Sequence, residues 1–159
     1  MLKKLFIILI SLNLLTHCEY KPVYSNQNNI NYKINITDFT GDKYINNLLA
    51  ANLKRNSKDQ ATEIIDVSFD TNYTKNILSK DTSGAITNYQ SSVVTTFVIK
   101  KGKNSENLIV TEKFNFQKMT DKYEEKNYER NIKKNIASTI SQKLFLRLAV
   151  IKWFLRRLN

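Results

Sequence analysis

Cysteine, histidine and proline each occur once in these 159 residues, and glycine three times. One cysteine excludes an internal disulfide framework and any Cys-based zinc finger. So few Pro and Gly exclude collagen-like and Pro/Gly-rich disordered chains. Gly41, Gly84 and Gly102 stand too far apart to build a phosphate-cradling loop. What is abundant is apolar and basic. Hydrophobic residues make up 42%, with 8 Phe and 8 Tyr, enough for the core of one domain. The net charge is +11, from 25 Lys+Arg against 14 Asp+Glu. Such a balance implies an anionic partner: nucleic acid, anionic lipid or another acidic surface. The charge is discounted, because 20 Lys, 20 Asn and 17 Ile are the composition an AT-rich genome produces on its own.

The first 17 residues do not read as part of the fold. Lys3 and Lys4 form a short positive region before an apolar run from Leu5 to Leu15, broken only by Ser11 and Asn13. A spanning helix needs ~20 apolar residues, so this run is too short, but it has the length of a signal-peptide core. It ends in Leu15-Thr16-His17-Cys18. That string resembles the bacterial lipobox, in which the Cys becomes the first mature residue and carries acyl chains. His17 departs from the Gly, Ala or Ser usual there. The alternative is an ordinary signal peptide that happens to contain the one Cys. Removing residues 1–17 leaves all 14 acids and 23 of the 25 bases, with no His and no free thiol. Glu19, where Asp often retains lipoproteins at the inner membrane of enteric bacteria, leans toward the outer membrane.

Residues 18–29 read as a polar tether and 30–159 as a single domain. Ile30, Tyr32, Ile34 and Ile36 alternate with polar residues, which predicts a half-buried strand. Thr40-Gly41-Asp42 predicts a turn and a helix cap, and Ile45, Leu48, Leu49 and Leu53 predict an amphipathic helix. Alternation over Ile65, Val67, Phe69 and Tyr73 gives a second strand, followed by a loop from Asn76 to Gly84. A Ser/Thr-rich third strand runs from Tyr89 to Ile99. Lys101-Gly102-Lys103-Asn104 forms a hairpin turn, and Val110, Phe114 and Phe116 mark a fourth strand. Asp121 to Glu125 reads as a charged turn. Tyr128, Ile132, Ile136, Ile140, Leu144, Leu148, Ile151 and Leu155 then set the stripe of a helix over 127–158. The expected fold is α+β: a four-stranded sheet with two helices on one face, in the order β-α-β-β-β-α. A helix of that length, ~48 Å, should overhang strands of ~6 residues, leaving Arg147, Lys152, Arg156 and Arg157 beyond the sheet.

Catalysis fails by subtraction. Without His17 no His-based triad exists, and the only thiol is acylated. No dense carboxylate cluster suggests a metal, so neither metal nor cofactor is expected beyond the acyl chains on Cys18. Asp66 and Asp70 share a strand face that alternation turns to solvent. Glu124, Glu125 and Glu129 precede a helix whose later charges are all basic, which suits the helix dipole. From Arg130 onward there are eight bases and no acid. A nucleic-acid binder could carry such a run, but an envelope lipoprotein does not meet nucleic acid. Leu144 to Leu158 could lie in a membrane interface or pack its apolar stripe on the sheet. Lys100, Lys101 and Lys103 could meet phosphates or form a solvated turn.

Cys18-Glu19-Tyr20-Lys21-Pro22-Val23-Tyr24-Ser25 resembles the Cys-Gly-Phe-x-Pro-Leu-Tyr-Gly start of LptE, the LPS-assembly lipoprotein family. Pro22 and Tyr24 match, Tyr20 and Val23 replace Phe and Leu, and Glu19 and Ser25 replace two Gly. Ile34 to Leu53 is similar to the family's first strand and helix, and Thr87 to Lys100 to its Thr-rich strand. Tyr128-Glu129-Arg130 through Arg147-Leu148 is similar to its closing helix. The resemblance implies a non-catalytic, lipid-anchored protein on the periplasmic side of the outer membrane. It would plug the LptD β-barrel and help place lipopolysaccharide in the outer leaflet. Lys100, Lys101, Lys103, Arg147, Lys152, Arg156 and Arg157 are then the candidate contacts to lipopolysaccharide or partner, and Cys18 the lipidation site. Two other readings stay open: a periplasmic lipid carrier with its own acyl-chain cavity, and an accessory lipoprotein of another envelope-assembly machine.

Overall fold

The computed structural model describes the backbone of residues 32–156 and the side chains of 32–150. The signal segment, the tether with Cys18, Ile30, and the side chains of Lys152, Arg156 and Arg157 lie outside the described residues. The chain runs β1 (Tyr32–Gly41), α1 (Lys43–Asn56), β2 (Glu63–Lys80), β3 (Ile86–Lys101), β4 (Asn104–Gln117) and α2 (Lys122–Arg156). The four strands form one mixed sheet in sequence order. β1 and β2 are parallel, as their helical connection requires, and β2, β3 and β4 form an antiparallel meander. The architecture is the α+β order expected from the sequence, with both helices on one face.

Alternation decides which face they cover. Ile65, Val67 and Phe69 of β2 and Val93, Phe97 and Ile99 of β3 turn inward with Tyr32 and Ile34 of β1. Ile45, Leu49 and Leu53 of α1 close over them, with Ile132, Ile136, Ile140, Leu144 and Leu148 of α2. These are most of the stripes that the helical spacing predicted; Leu48 is half-buried, Tyr128 is exposed, and the side chains of Ile151 and Leu155 lie outside the described residues. Asp42 caps α1, its Oδ1 accepting from the Ile45 N–H at 2.9 Å. Asn52 donates to Ser141 and Lys133 pairs with Asp42, so the two helices run parallel and finish at the same end of the sheet.

Three expectations are corrected. The span Asn76 to Gly84 is not all loop. β2 runs on to Lys80, because Asn76 and Ser79 pair with Gln90 and Asn88 across the sheet. Only 81–85 turns, with Asp81 Oδ1 accepting from Ser83 and Ala85 and Gly84 at φ +83°. Asp121 to Glu125 is not a turn either. Asp121 accepts from the N–H groups of Tyr123 and Glu124, which starts α2 at Lys122. The third correction concerns length. Strands β2 to β4 hold 14 to 18 residues, or ~46–60 Å at ~3.3 Å each. That matches the ~52 Å of a 35-residue helix. The helix does not overhang at Arg147: Leu148 is fully buried, and Arg147 Nε donates to Glu106 Oε1 of β4 at 2.6 Å.

Candidate functional site

One end of the domain is where β1 begins. Tyr32 pairs with Glu63, and its carbonyl accepts from the Lys58 N–H just past α1. The β3–β4 turn lies at the same end, with Lys101 opposite Asn104 and Gly102 at φ +58°. The structure therefore brings Lys100, Lys101, Lys103 and Arg147 to a common end, as neighbours of the start of the domain. Their side chains do not converge on one point. Lys100 stands opposite Asp66 on the helix-free face. Lys101 sits on the other face, 2.8 Å from Glu63 and 5.1 Å from the Tyr32 ring centre. Lys103 is exposed in the turn. Arg147 is held by Glu106, as Lys143 is by Glu112.

The helix-free face of the sheet carries Asp66, Asp70, Ser92, Thr96, Thr111 and Asn115, with Val94, Val98 and Ile109 among them. Asp66 and Asp70 point away from the core, as the alternation implied, and accept from Asn35 and Thr40 of β1.

Sequence reasoning missed a polar cluster on the helix-covered face of β2, under the first turns of α2. Lys75 reaches Glu125 at 2.8 Å and Glu129 at 3.0 Å, and lies 4.2 Å from the centre of the Tyr89 ring. Tyr73 donates to Glu129 at 2.7 Å and shares a bond with Ser91. Lys133 covers the Tyr73 ring and pairs with Asp42. The strand parity of Tyr73 and Lys75 was visible; their partners, ~50 residues away, were not. Burial pulls the Lys75 pKa down, but its two carboxylate partners win and hold it above the ordinary value. Burial pushes Asp42 and Glu129 up, and their bonds to Lys133, or to Tyr73 and Lys75, bring them below the usual range. The Lys75 bond chiefly lowers Glu125. Burial foremost, then Glu129, raises the Tyr73 hydroxyl. A neutral phenol between charged pairs is a bracing arrangement rather than a proton relay.

Acid should therefore loosen this end. Stability from Asp42, Glu125 and Glu129 is complete above their ordinary values of 3.8 and 4.5 and is lost as pH falls through their lowered folded values. The melting temperature should fall below about pH 4. A Glu129→Gln variant should start lower and lose less on acidification. Parallel curves for the two proteins would show that Glu129 contributes nothing to the acid response.

A cleft of about 390 Å³ opens where β4 ends, lined by Asn88, Asn115, Phe116, Gln117, Met119 and Tyr128. Phe116 in its wall belongs to the buried core, and the Tyr128 ring of α2 stands 6.0 Å from the Phe116 ring. Among the described residues no group of three His, Cys, Asp or Glu could hold a metal, and no helix is long and apolar enough to cross a membrane.

These features define a class: a small α+β domain whose two described helices cover one face of a four-stranded mixed sheet. No family model matches the chain, and no curated protein matches its sequence. Solved structures do match. Rare lipoprotein B from Shewanella oneidensis superposes with a TM-score of 0.55 at 14% identity, over 74% of this chain and 99% of that one. A minor lipoprotein from Acinetobacter baumannii gives a TM-score of 0.47 at 14% identity, over 69% of this chain and 93% of that one. The first likeness shows that the two chains share a fold.

Proposed function

We propose that this chain is an outer-membrane lipoprotein of the LptE kind. It is anchored through Cys18 on the periplasmic side, and partners and plugs an LptD-type barrel during lipopolysaccharide assembly. Its work is binding, without catalysis or cofactor. The observation that carries the reading is the pairing of a lipobox-like leader ending at Cys18 with a domain that has the fold of rare lipoprotein B. The filled core favours a plug over a lipid carrier. Leu49, Val67, Phe97, Ile140 and Leu144 are all at 0% exposure between sheet and helices, where a carrier would need room for an acyl chain. A positive chain also suits lipopolysaccharide, whose phosphates and carboxylates take charge-assisted hydrogen bonds from Lys and Arg.

The test is recovery of the full chain, tagged at its C-terminus, from envelopes of the native cell in mild detergent. A β-barrel outer-membrane protein of the LptD type and lipopolysaccharide should come with it. Recovery with bound phospholipid and no barrel would favour the carrier. Recovery with the components of a different assembly machine would favour the accessory role.

A further inference from the structure

We propose that the end of the domain where β1 begins and the two helices finish is a docking surface for anionic phospholipid headgroups of the leaflet that holds the anchor. Three independent features meet there.

The first is charge. Lys54 and Arg55 fill the last turn of α1, and Lys58 follows, its N–H bound to the Tyr32 carbonyl. Lys33 opens β1, and Lys103 tips the adjoining hairpin. The helix dipole accounts for Lys54 and Arg55 in part, since cations suit a helix C-terminus; it does not account for Lys33 or Lys103. Of the acids at this end, Glu63 and Glu106 are engaged by Lys101 and Arg147. Asp66 faces Lys100 and accepts from Asn35, and Asp59 stands among the remaining bases. At the far end Asp81, Asp121, Glu124 and Glu125 stand among the bases, so the excess positive charge gathers at the near end.

The second is apolar surface beside the charge. Leu146 and Val150, four residues apart in α2, are 41% and 49% exposed and flank Arg147. Basic residues next to exposed aliphatic ones are the composition of a surface that rests in a headgroup layer.

The third is the path of the chain. Tyr32 enters the sheet at this end, and Cys18 stands 14 residues before it. Fourteen residues reach at most ~50 Å, so an anchor at Cys18 keeps this end within that distance of the leaflet. An acyl anchor and a basic patch are the two signals that together make membrane attachment firm.

The anchor part rests on the lipoprotein reading; the charge does not. The test therefore uses chain 18–159 with Cys18→Ser, which has no acyl chain. Probes are vesicles of phosphatidylcholine, of phosphatidylcholine with phosphatidylglycerol, and aggregates of lipopolysaccharide. Flotation should recover the protein with the phosphatidylglycerol vesicles and not with the neutral ones. Salt near 1 M, where screening acts within ~3 Å, should abolish it. The triple variant Lys54→Gln, Arg55→Gln, Lys103→Gln should weaken binding on the order of 100-fold, about fivefold per charge. Lys80→Gln, Lys118→Gln and Lys122→Gln at the far end should leave it unchanged. Equal binding to neutral vesicles, an equal loss in the far-end variant, or binding to lipopolysaccharide alone would overturn the proposal. Absence of palmitate on the wild-type chain would instead remove the anchor and leave the vesicle result standing.

Discussion

Cys18→Ala should reduce incorporation of labelled palmitate to background and leave an uncleaved precursor. On the lipoprotein proposal the thiol is the nucleophile that takes the acyl chain, and the chain holds no other cysteine to substitute for it. Each buried CH₂ of an acyl chain contributes ~0.8 kcal/mol to membrane attachment, so on that proposal the variant loses most of its anchoring energy in one step. The domain itself should be untouched. Among the described residues the buried core begins at Tyr32, 14 residues downstream, and the melting temperature of the variant should equal that of the wild type. Equal labelling of both proteins would mean that Leu15-Thr16-His17-Cys18 is not a lipidation signal.

Gly41→Ala should be among the most damaging single substitutions in the domain. Gly41 sits at φ +96°, and a Cβ there would stand 2.0 Å from the carbonyl oxygen of Thr71, its partner across the β1–β2 pair. The strained conformation alone costs ~1–3 kcal/mol. The collision adds to it, because backbone has to move. Parting the strands there would break the Asp42 N–H bond to the same Thr71 oxygen, 2.8 Å long. It would also shift the cap of α1 and the Asp42–Lys133 pair. A domain holds only ~5–15 kcal/mol in total, so a large drop in the denaturation midpoint is expected. Gly84→Ala and Gly102→Ala are the controls. Both positions have positive φ, but a Cβ would meet nothing within 4 Å, so only the conformational cost remains. If Gly41→Ala costs no more than these two, the close approach to Thr71 is not what fixes glycine there.

The apolar stripes were legible because strand and helix periods are local. Ile34, Ile65, Val67, Leu49, Ile136 and Ile140 all lie where their spacing placed them. Polar stretches were harder to read. Asn76 and Ser79 looked like loop because their own sequence buries nothing. They are strand because β3 satisfies their backbone groups. Asp121 looked like part of a charged turn and is the residue whose side chain starts α2. The candidate basic residues were legible as charge, not as geometry: Arg147, expected beyond the sheet, is bound to Glu106 within its length.

The sequence by itself determined the element order, the buried face of each element and the basic balance, since these depend on residue type and spacing along the chain. It also supplied Cys18 three residues after an apolar run that ends at Leu15. Only the tertiary structure decided the length of the strands, the cluster around Lys75, the contact that restricts Gly41, and which bases share an end. The pairs Gly41–Thr71, Arg147–Glu106, Lys75–Glu125 and Asp42–Lys133 join residues ~30 to ~90 positions apart, where no local period records which side chains will meet, and the extra strand length comes from partners in β3 that lie 9 and 14 positions away across the turn.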